Sequence, residues 1–339
     1  MDKITKITLK PTDSNKIVGE SFLNFKLSGD NIDYIVANTI RRVILSDIPI
    51  YAFNNFKFEK NTSVLHNDYI KLRLMHIPIW DINNTVEYLD PDHRKVEETF
   101  KTDINENNEE DDDTNNTENP KPKDQTKSNQ MTMYVNHSNN MNEIISVTTD
   151  DAKFYYNEKQ IDSPFKTPVP LAKLQPKQEI AFSAITDIGT ENENSMYSAV
   201  CIVAYKENNM NDFDFSIESR GQLTEKRILQ VSLINIDRKL KNFMKQIKDS
   251  DISENAEDFS GTIIVNNENH TLGNLIARGM QKHKKINFAG YNLPHPCVAK
   301  VVFHYKHEKG TTIIKIIEDV VEYYTEIFDE IKKIVDKLP

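Results

Sequence analysis

Cysteine is nearly missing from this chain, with two among 339 residues, Cys201 and Cys297, and none before Val200. A thiolate-bound zinc or an iron–sulfur centre therefore cannot be built in the first 200 residues. Two distant thiols inside apparent strands read as buried, reduced side chains rather than a disulfide framework. Glycine is also scarce, at nine residues. Neither a phosphate-cradling glycine loop nor a G-x-S-x-G elbow is present. No apolar run approaches the roughly 20 residues that cross a bilayer. The opening MDKITKITLK lacks the apolar core of a signal peptide. A formal net charge of −10 argues against general electrostatic binding of nucleic acid.

Catalytic constellations are missing too. His66, His76, His270, His295 and His304 are scattered, without H-E-x-x-H or paired His/Cys spacing. His270 reads as a helix-start residue, and His295 lies between two prolines. The acids Asp187 and Glu191 have no evident partner. No intrinsic enzymatic activity, cofactor or metal is expected. From about residue 96 to 130 the chain turns acidic, then asparagine-rich, then Pro/Lys-rich, with almost nothing apolar. Such a run cannot bury enough surface to offset chain entropy, so a disordered loop is expected. Its Glu109–Asp113 cluster lacks calcium-loop spacing and reads as solvated, or as a weak tether to a basic partner. The single tryptophan, Trp80, reads as a core anchor.

What is present is organised around residues 30–49. Ile32, Ile35, Val36, Ile40, Val43 and Ile44 fall on one face of a helix. Asp30 or Asn31 is expected to cap its start, Pro49 to stop it, and Arg41 and Arg42 to suit its dipole. A second helix, His270–Lys282, aligns with it: Asn38 with Asn274, Val36 with Leu272, Ile40 with Ile276, Arg42 with Arg278 and Ile44 with Met280. Each follows an apolar strand, Phe22–Leu27 or Thr262–Val265. Two copies of one strand–turn–helix unit suggest pseudo-twofold pairing, each copy covering the other's apolar face.

Two runs, ANTIRRVILSDIPIYAF (Ala37–Phe53) and NTSVLHNDYIKLRLMHIPI (Asn61–Ile79), resemble the signature region of the alpha-like subunits of multisubunit RNA polymerases. These are bacterial alpha, its larger archaeal counterpart and the third-largest subunit of polymerase II. The later run HTLGNLIARGMQKHKKINFAGYNLPHP (His270–Pro296) is similar to their smaller partner, which in polymerase II is the eleventh subunit and also has an archaeal counterpart. PVPLAKLQPKQEIAFSAITDIGT and FDFSIESRGQLTEKRILQVSL also resemble the larger partner. The chain thus looks like both alpha-like subunits fused, as in large DNA viruses.

The resemblance implies an α+β fold with two strand–helix pairing domains related by a pseudo-twofold axis and a mainly-β insert domain. The large pairing domain is placed at 1–52 and 196–248, the insert at 53–195, a flexible linker at 249–260 and the small pairing domain at 261–339. Within the insert, strands are expected at 131–135, 144–148 and 180–184. A short helix after Asn61 or Thr62, either of which can cap it, is stopped by Pro78. Further strands are expected at 4–9, 51–58, 199–205, 213–219, 287–291 and 298–306. Thr224 can cap a long helix to Lys248, and a last helix over 311–336 has a near-heptad apolar seam suited to packing beside it. The expected intramolecular pairing residues are Val36, Ile40, Val43, Ile44, Leu272, Leu275, Ile276, Met280, Phe243, Ile247, Val320 and Tyr324.

By resemblance, the function is that of a non-catalytic assembly platform recruiting the two largest polymerase subunits, together with a small platform subunit. The implied large-subunit contact comprises Asn38, Arg41, Arg42, Ser46 and Asp47, with Asn61, Thr62, Ser63, Val64 and Leu65 nearby. The alternative is a stand-alone regulatory mimic that sequesters polymerase subunits or transcription factors. The expected site is the host cytoplasm (a viral factory) and the virion, with the nucleus as alternative.

Overall fold

The computed structural model describes residues 7–11, 22–80, 82–89, 130–157, 159–250, 252–255, 257–295 and 298–338. The acidic run, apart from Gln130, and Cys297 lie outside them, as do residues 4–6 of the first expected strand. The chain divides into one unit of Met1–Ile48 with Ser198–Pro339 and a second of Pro49–Tyr197.

In chain order the first unit opens with β1 (Thr8–Pro11), β2 (Phe22–Ser28) and α1 (Tyr34–Ser46). The second unit follows: β3 (Ile50–Asn61), α2 (Asn67–Met75), β4 (Met131–Ser138), β5 (Ile145–Thr148), β6 (Ala152–Tyr156), β7 (Lys159–Ile161), β8 (Pro170–Leu174) and β9 (Glu179–Gly189). The chain re-enters the first unit with β10 (Val200–Asn209), β11 (Asp212–Ser219), α3 (Glu225–Asp249) and β12 (Ser253–Asn255). It ends with β13 (Ser260–Asn266), α4 (His270–Lys282), β14 (Ile286–Asn292), β15 (Lys300–His307) and α5 (Ile313–Asp336).

The first unit holds two antiparallel sheets, ordered β1-β2-β11-β10 and β12-β13-β15-β14. Alternation builds both. In β11, Phe213, Phe215 and Ile217 point inward while Asp212, Asp214 and Ser216 do not. Phe215 pairs in register with Phe25 of β2, their rings stacked 5.0 Å apart. In β15, Val301, Phe303 and Tyr305 do the same. The first sheet belongs to a large half with α1 and α3, the second to a small half with α4 and α5. The two halves have matching plans. α1 and α4 are each 13 residues long, and their caps, Asp33 and Asn269, each accept from the backbone N–H two residues on. α3 and α5 each start after an extended threonine cap, Thr224 or Thr312.

Some local details differ from the sequence expectation. Asp33, not Asp30 or Asn31, caps α1, its Oδ1 accepting from Ile35 N at 3.1 Å and Val36 N at 3.0 Å. Asn31 is occupied elsewhere, donating to Tyr323 Oη. No basic residue stands in the last turn of α1, so Arg41 and Arg42 do not sit where its dipole would hold them. α2 starts at Asn67 with His66 as its cap, because β3 runs on to Asn61, whose Oδ1 closes a turn onto Ser63 N. The 249–260 segment is not simply a flexible tether. β12 within it pairs with β13, and Glu254 accepts from Tyr305 Oη at 3.2 Å and lies 3.1 Å from His307 Nε2. Cys201 is exposed rather than buried: a register shift between Val200 and Ile202 breaks the alternation of β10.

The second unit packs a five-stranded sheet, β3-β9-β4-β6-β7, and the β5-β8 pair around a core that includes Phe53, Ile70, Leu74, Met133, Val147, Phe154, Leu174 and Phe182. Trp80 stands outside that core, half-buried, with Lys166 Nζ 5.0 Å from its ring centroid. β6, β7 and β8 add to the strands expected from alternation.

α4 approaches α5 closely because position 279 has no side chain. A Cβ on Gly279 would stand 2.7 Å from Tyr324 Cε2 and nearer still to Val320 Cγ1, both on α5. Gly279→Ala would gain roughly 1 kcal/mol of helix propensity, but overpacking of this order costs about 1–3 kcal/mol. We expect a net loss of up to about 2 kcal/mol in urea unfolding; a raised midpoint would refute the close packing.

Candidate assembly interface

The four helices of the first unit meet one another: α1 with α3 and α4, α5 with α3 and α4. α1 and α4 run antiparallel. At one end Lys282 Nζ, in the last turn of α4, lies 2.7 Å from Asp33, the cap of α1. At the other, Arg42 Nε donates to Thr271 Oγ1 in the first turn of α4 at 2.8 Å. Between these polar ends run the apolar stripes.

The structure buries all twelve expected pairing residues. Val36, Ile40, Val43 and Ile44 on α1, Leu272, Leu275, Ile276 and Met280 on α4, Phe243 and Ile247 on α3, and Val320 and Tyr324 on α5 are each 3% exposed or less. Side chains of this size each contribute about 1.5–3 kcal/mol when taken fully out of water. A substantial apolar core thus lies among the paired helices.

One buried ionic cluster crosses the pairing, and sequence periodicity did not single it out. Lys239 Nζ, on α3, lies 3.2 Å from Asp47 Oδ2 and 3.4 Å from Glu268 Oε2, all three largely shielded. Asp47 is the C-cap of α1 and Glu268 stands just before α4. Burial pulls the Lys239 ammonium down, but the two carboxylates outweigh it and hold it above the usual lysine range. Burial pushes the Glu268 carboxyl up, more than Lys239 pulls it down. Asn235, one turn earlier on α3, donates to Asp47 O at 2.9 Å. Only contact among three separate segments reveals this group.

The residues expected to touch a large subunit are distributed as follows. On α1, Asn38 and Arg41 are half-buried, with Arg41 Nε 3.4 Å from Asn38 Oδ1. The terminal guanidinium nitrogens of Arg41 hydrogen-bond to none of the described residues. Arg42 is engaged by Thr271, Ser46 Oγ donates to Arg42 O and to Asp47 Oδ1, and Asp47 belongs to the ionic cluster. All five side chains thus make contacts within the chain, Asn38 and Arg41 with each other. In the second unit, Asn61 ties the 61–65 loop by donating to Leu65 O at 2.9 Å, and Ser63 Oγ donates to Asn61 Oδ1. Thr62 Oγ1 accepts from Glu179 N, and Leu65 packs on the core. Val64 is 72% exposed, and Tyr69 and Leu72 of α2, not singled out from the sequence, are also exposed. Their signal was legible, since α2 carries apolar residues on both sides and can bury only one.

The scattered polar candidates have structural partners. Asp187 accepts from Asn54 Nδ2 at 3.2 Å and from Tyr197 Oη, while His270 Nδ1 lies 3.2 Å from Tyr291 Oη. His304 meets Asn292 at 2.9 Å, and His66 and His76 flank α2 as its caps. Among the described residues, no group of three or more His, Cys, Asp or Glu side chains is arranged to hold a metal ion.

Tyr324 supplies a direct test of how dry this interface is. Its Oη has no hydrogen-bond partner among the described residues, and burial, then Asp33 and Tyr323, holds the phenol above its ordinary value of 10.0. Tyr324→Phe is expected to raise unfolding free energy by about 1 kcal/mol at neutral pH, since it removes an unpaired buried hydroxyl. Above pH 10 the unfolded phenol ionises while the folded one stays protonated, so the folded state binds more protons and stability falls as pH rises. The Phe variant should show a shallower alkaline loss; equal slopes in denaturant titrations from pH 9 to 11 would contradict this.

Comparison with known proteins agrees with a paired, two-half chain. The RNA polymerase Rpb3/Rpb11 dimerisation domain matches twice, over residues 26–240 and again over 260–333. A DNA-directed RNA polymerase subunit of Acanthamoeba polyphaga mimivirus is 25% identical over 333 residues, covering 93% of this chain and 90% of the relative. The RNA polymerases I and III subunit rpac1 of Dictyostelium discoideum is 28% identical over 65% of this chain and 58% of its own length. The smaller subunit RPAC2 of Schizosaccharomyces pombe is 29% identical over 25% of this chain and 68% of its own length. With one match spanning the large half and the other the small, the chain belongs to the RNA polymerase Rpb3/Rpb11 dimerisation domain family.

Proposed function

We propose that this chain is a non-catalytic assembly-platform subunit of a DNA-dependent RNA polymerase, carrying both alpha-like partners in one polypeptide. The observation that carries this reading is the double family match on two halves whose helices bury each other's apolar faces. On this reading the large pairing domain is formed by residues 1–52 and 196–248, the small by 261–339, and 53–195 form an insert. The paired halves recruit the two largest, catalytic subunits and one small platform subunit. The viral relative supports transcription at a viral site, and we propose the host cytoplasm and the virion as its location.

Arg41 is the best-placed charged residue for the large-subunit contact. Its Nε bonds only Asn38 of the same helix, whereas Arg42 Nε reaches across the junction to Thr271. A guanidinium offers a fixed fork of donors to a carboxylate or to backbone carbonyls. Val64 offers an exposed apolar contact on the other unit.

Arg41→Ala and Val64→Asp should each weaken capture of the co-expressed second-largest polymerase subunit by about tenfold, the order of one good interfacial contact, with melting temperatures unchanged. Arg42→Ala is expected to lower the melting temperature as well, through loss of the Thr271 contact. Full capture by both surface variants would overturn the assignment of these two residues.

A further inference from the structure

The two halves share a plan, but their junction has unlike ends. Laying α1 on α4 and α3 on α5 by their caps places Ile32 at the position of Glu268, Ile327 at that of Lys239 and His283 at that of Asp47. Ile32 and Ile327 are fully buried. The Asn31–Tyr323 hydrogen bond, at residues next to Ile32 and one turn before Ile327, puts this second end in the same junction. His283 turns to Asp319 of its own half, 3.3 Å away. Where one end of the junction brings Lys239, Asp47 and Glu268 together, the equivalent positions at the other end hold Ile327, His283 and Ile32 and form no such cluster.

We infer that this mismatch of ends makes the large and small halves pair with each other and not with copies of themselves. Only large-with-small brings Glu268 to Lys239 and Asp47, and Ile32 to the Ile327 end. Pairing two large halves would put Ile32 against Lys239, leaving the ammonium with Asp47 alone. Pairing two small halves would bury Glu268 against Ile327 with no cation supplied from the equivalent of Lys239. A buried charge deprived of its partner is strongly penalised, while an ion pair replaced by packed apolar groups is nearly neutral. The cluster therefore adds little affinity to the correct pair and penalises the small–small pair most, where Glu268 is buried with no lysine, while a large–large pair loses one of the two carboxylates that hold Lys239; such penalties on wrong partners set specificity. In a fused chain this has a further consequence: homotypic pairing would link one chain to the next, whereas cross-pairing closes each chain on itself. The inference rests on the pairing seen in the fold and not on recruitment of large subunits.

The test uses the full chain carrying a protease site within residues 249–260, folded intact and cut afterwards, with pairing read by native mass spectrometry and by dilution during size exclusion. The unaltered protein should give only large–small pairs. Glu268→Lys should weaken that pairing by at least about 30-fold, in line with a buried charge left unpaired. Lys239→Glu combined with Glu268→Lys should restore it. Where the reversal prevents folding, Glu268→Gln is used and should weaken pairing in the same direction. The decisive variant is apolar, Asp47→Asn with Lys239→Ile and Glu268→Ile, which should keep large–small pairs and add homotypic pairs, small–small above all. Unaltered pairing on charge reversal or neutralisation, or large–small pairs alone from the apolar variant, would overturn the inference.

Discussion

Everything in the first unit depends on one exchange: the apolar stripe of α1 is buried by the other half of the chain. Neither half is finished alone. Val36, Ile40 and Ile44 would line an open helix face without α4, and Leu272, Ile276 and Met280 would do so without α1. A sheet backed by two helices buries one side of each helix, and the remaining apolar side requires a partner. Here the partner is built from the same plan and is carried on the same chain. Effective concentration does the rest, since linkage makes association intramolecular.

Polar groups define the geometry that apolar burial leaves loose. Hydrophobic contact is non-directional, so two helices could slide along each other at small cost. The Asp33–Lys282 and Arg42–Thr271 contacts fix both ends of the α1–α4 pair, and Lys239 fixes α3 to both. The same contacts explain why so few charged side chains on α1 remain free. Of its two adjacent arginines, Arg42 is drawn into the pairing through Thr271, while Arg41 Nε bonds Asn38 within α1.

Much of this was legible from residues alone. The period of three and four in 32–44 and 272–280 gave both helix faces, and the match of Asn38 with Asn274 gave the register between them. Strands such as β11 followed from clean alternation in FDFSIES. Three kinds of feature were not legible, each for a physical reason. Caps moved because side chains such as Asn31 are taken by distant partners, here Tyr323, which local patterns cannot show. Cys201 is exposed because a bulge shifts the phase of its strand, and one residue of shift reverses every side chain. The 249–260 segment carries so little apolar surface that it reads as a tether, yet Glu254 is held by Tyr305 and beside His307, which lie some 50 residues later in the chain. The ionic cluster at Lys239 was hidden for a related reason: its members come from α1, α3 and the loop before α4, and no spacing rule joins them.

The central claim is that this chain, already paired within itself, nucleates a polymerase. The most direct measurement is affinity purification of the tagged chain from its native source, with mass spectrometry and a size determination of what is recovered. A stoichiometric complex containing both large catalytic polymerase subunits is the result this account requires. Recovery of the free chain, or of an assembly without those subunits, would contradict it and favour a regulator that mimics the platform.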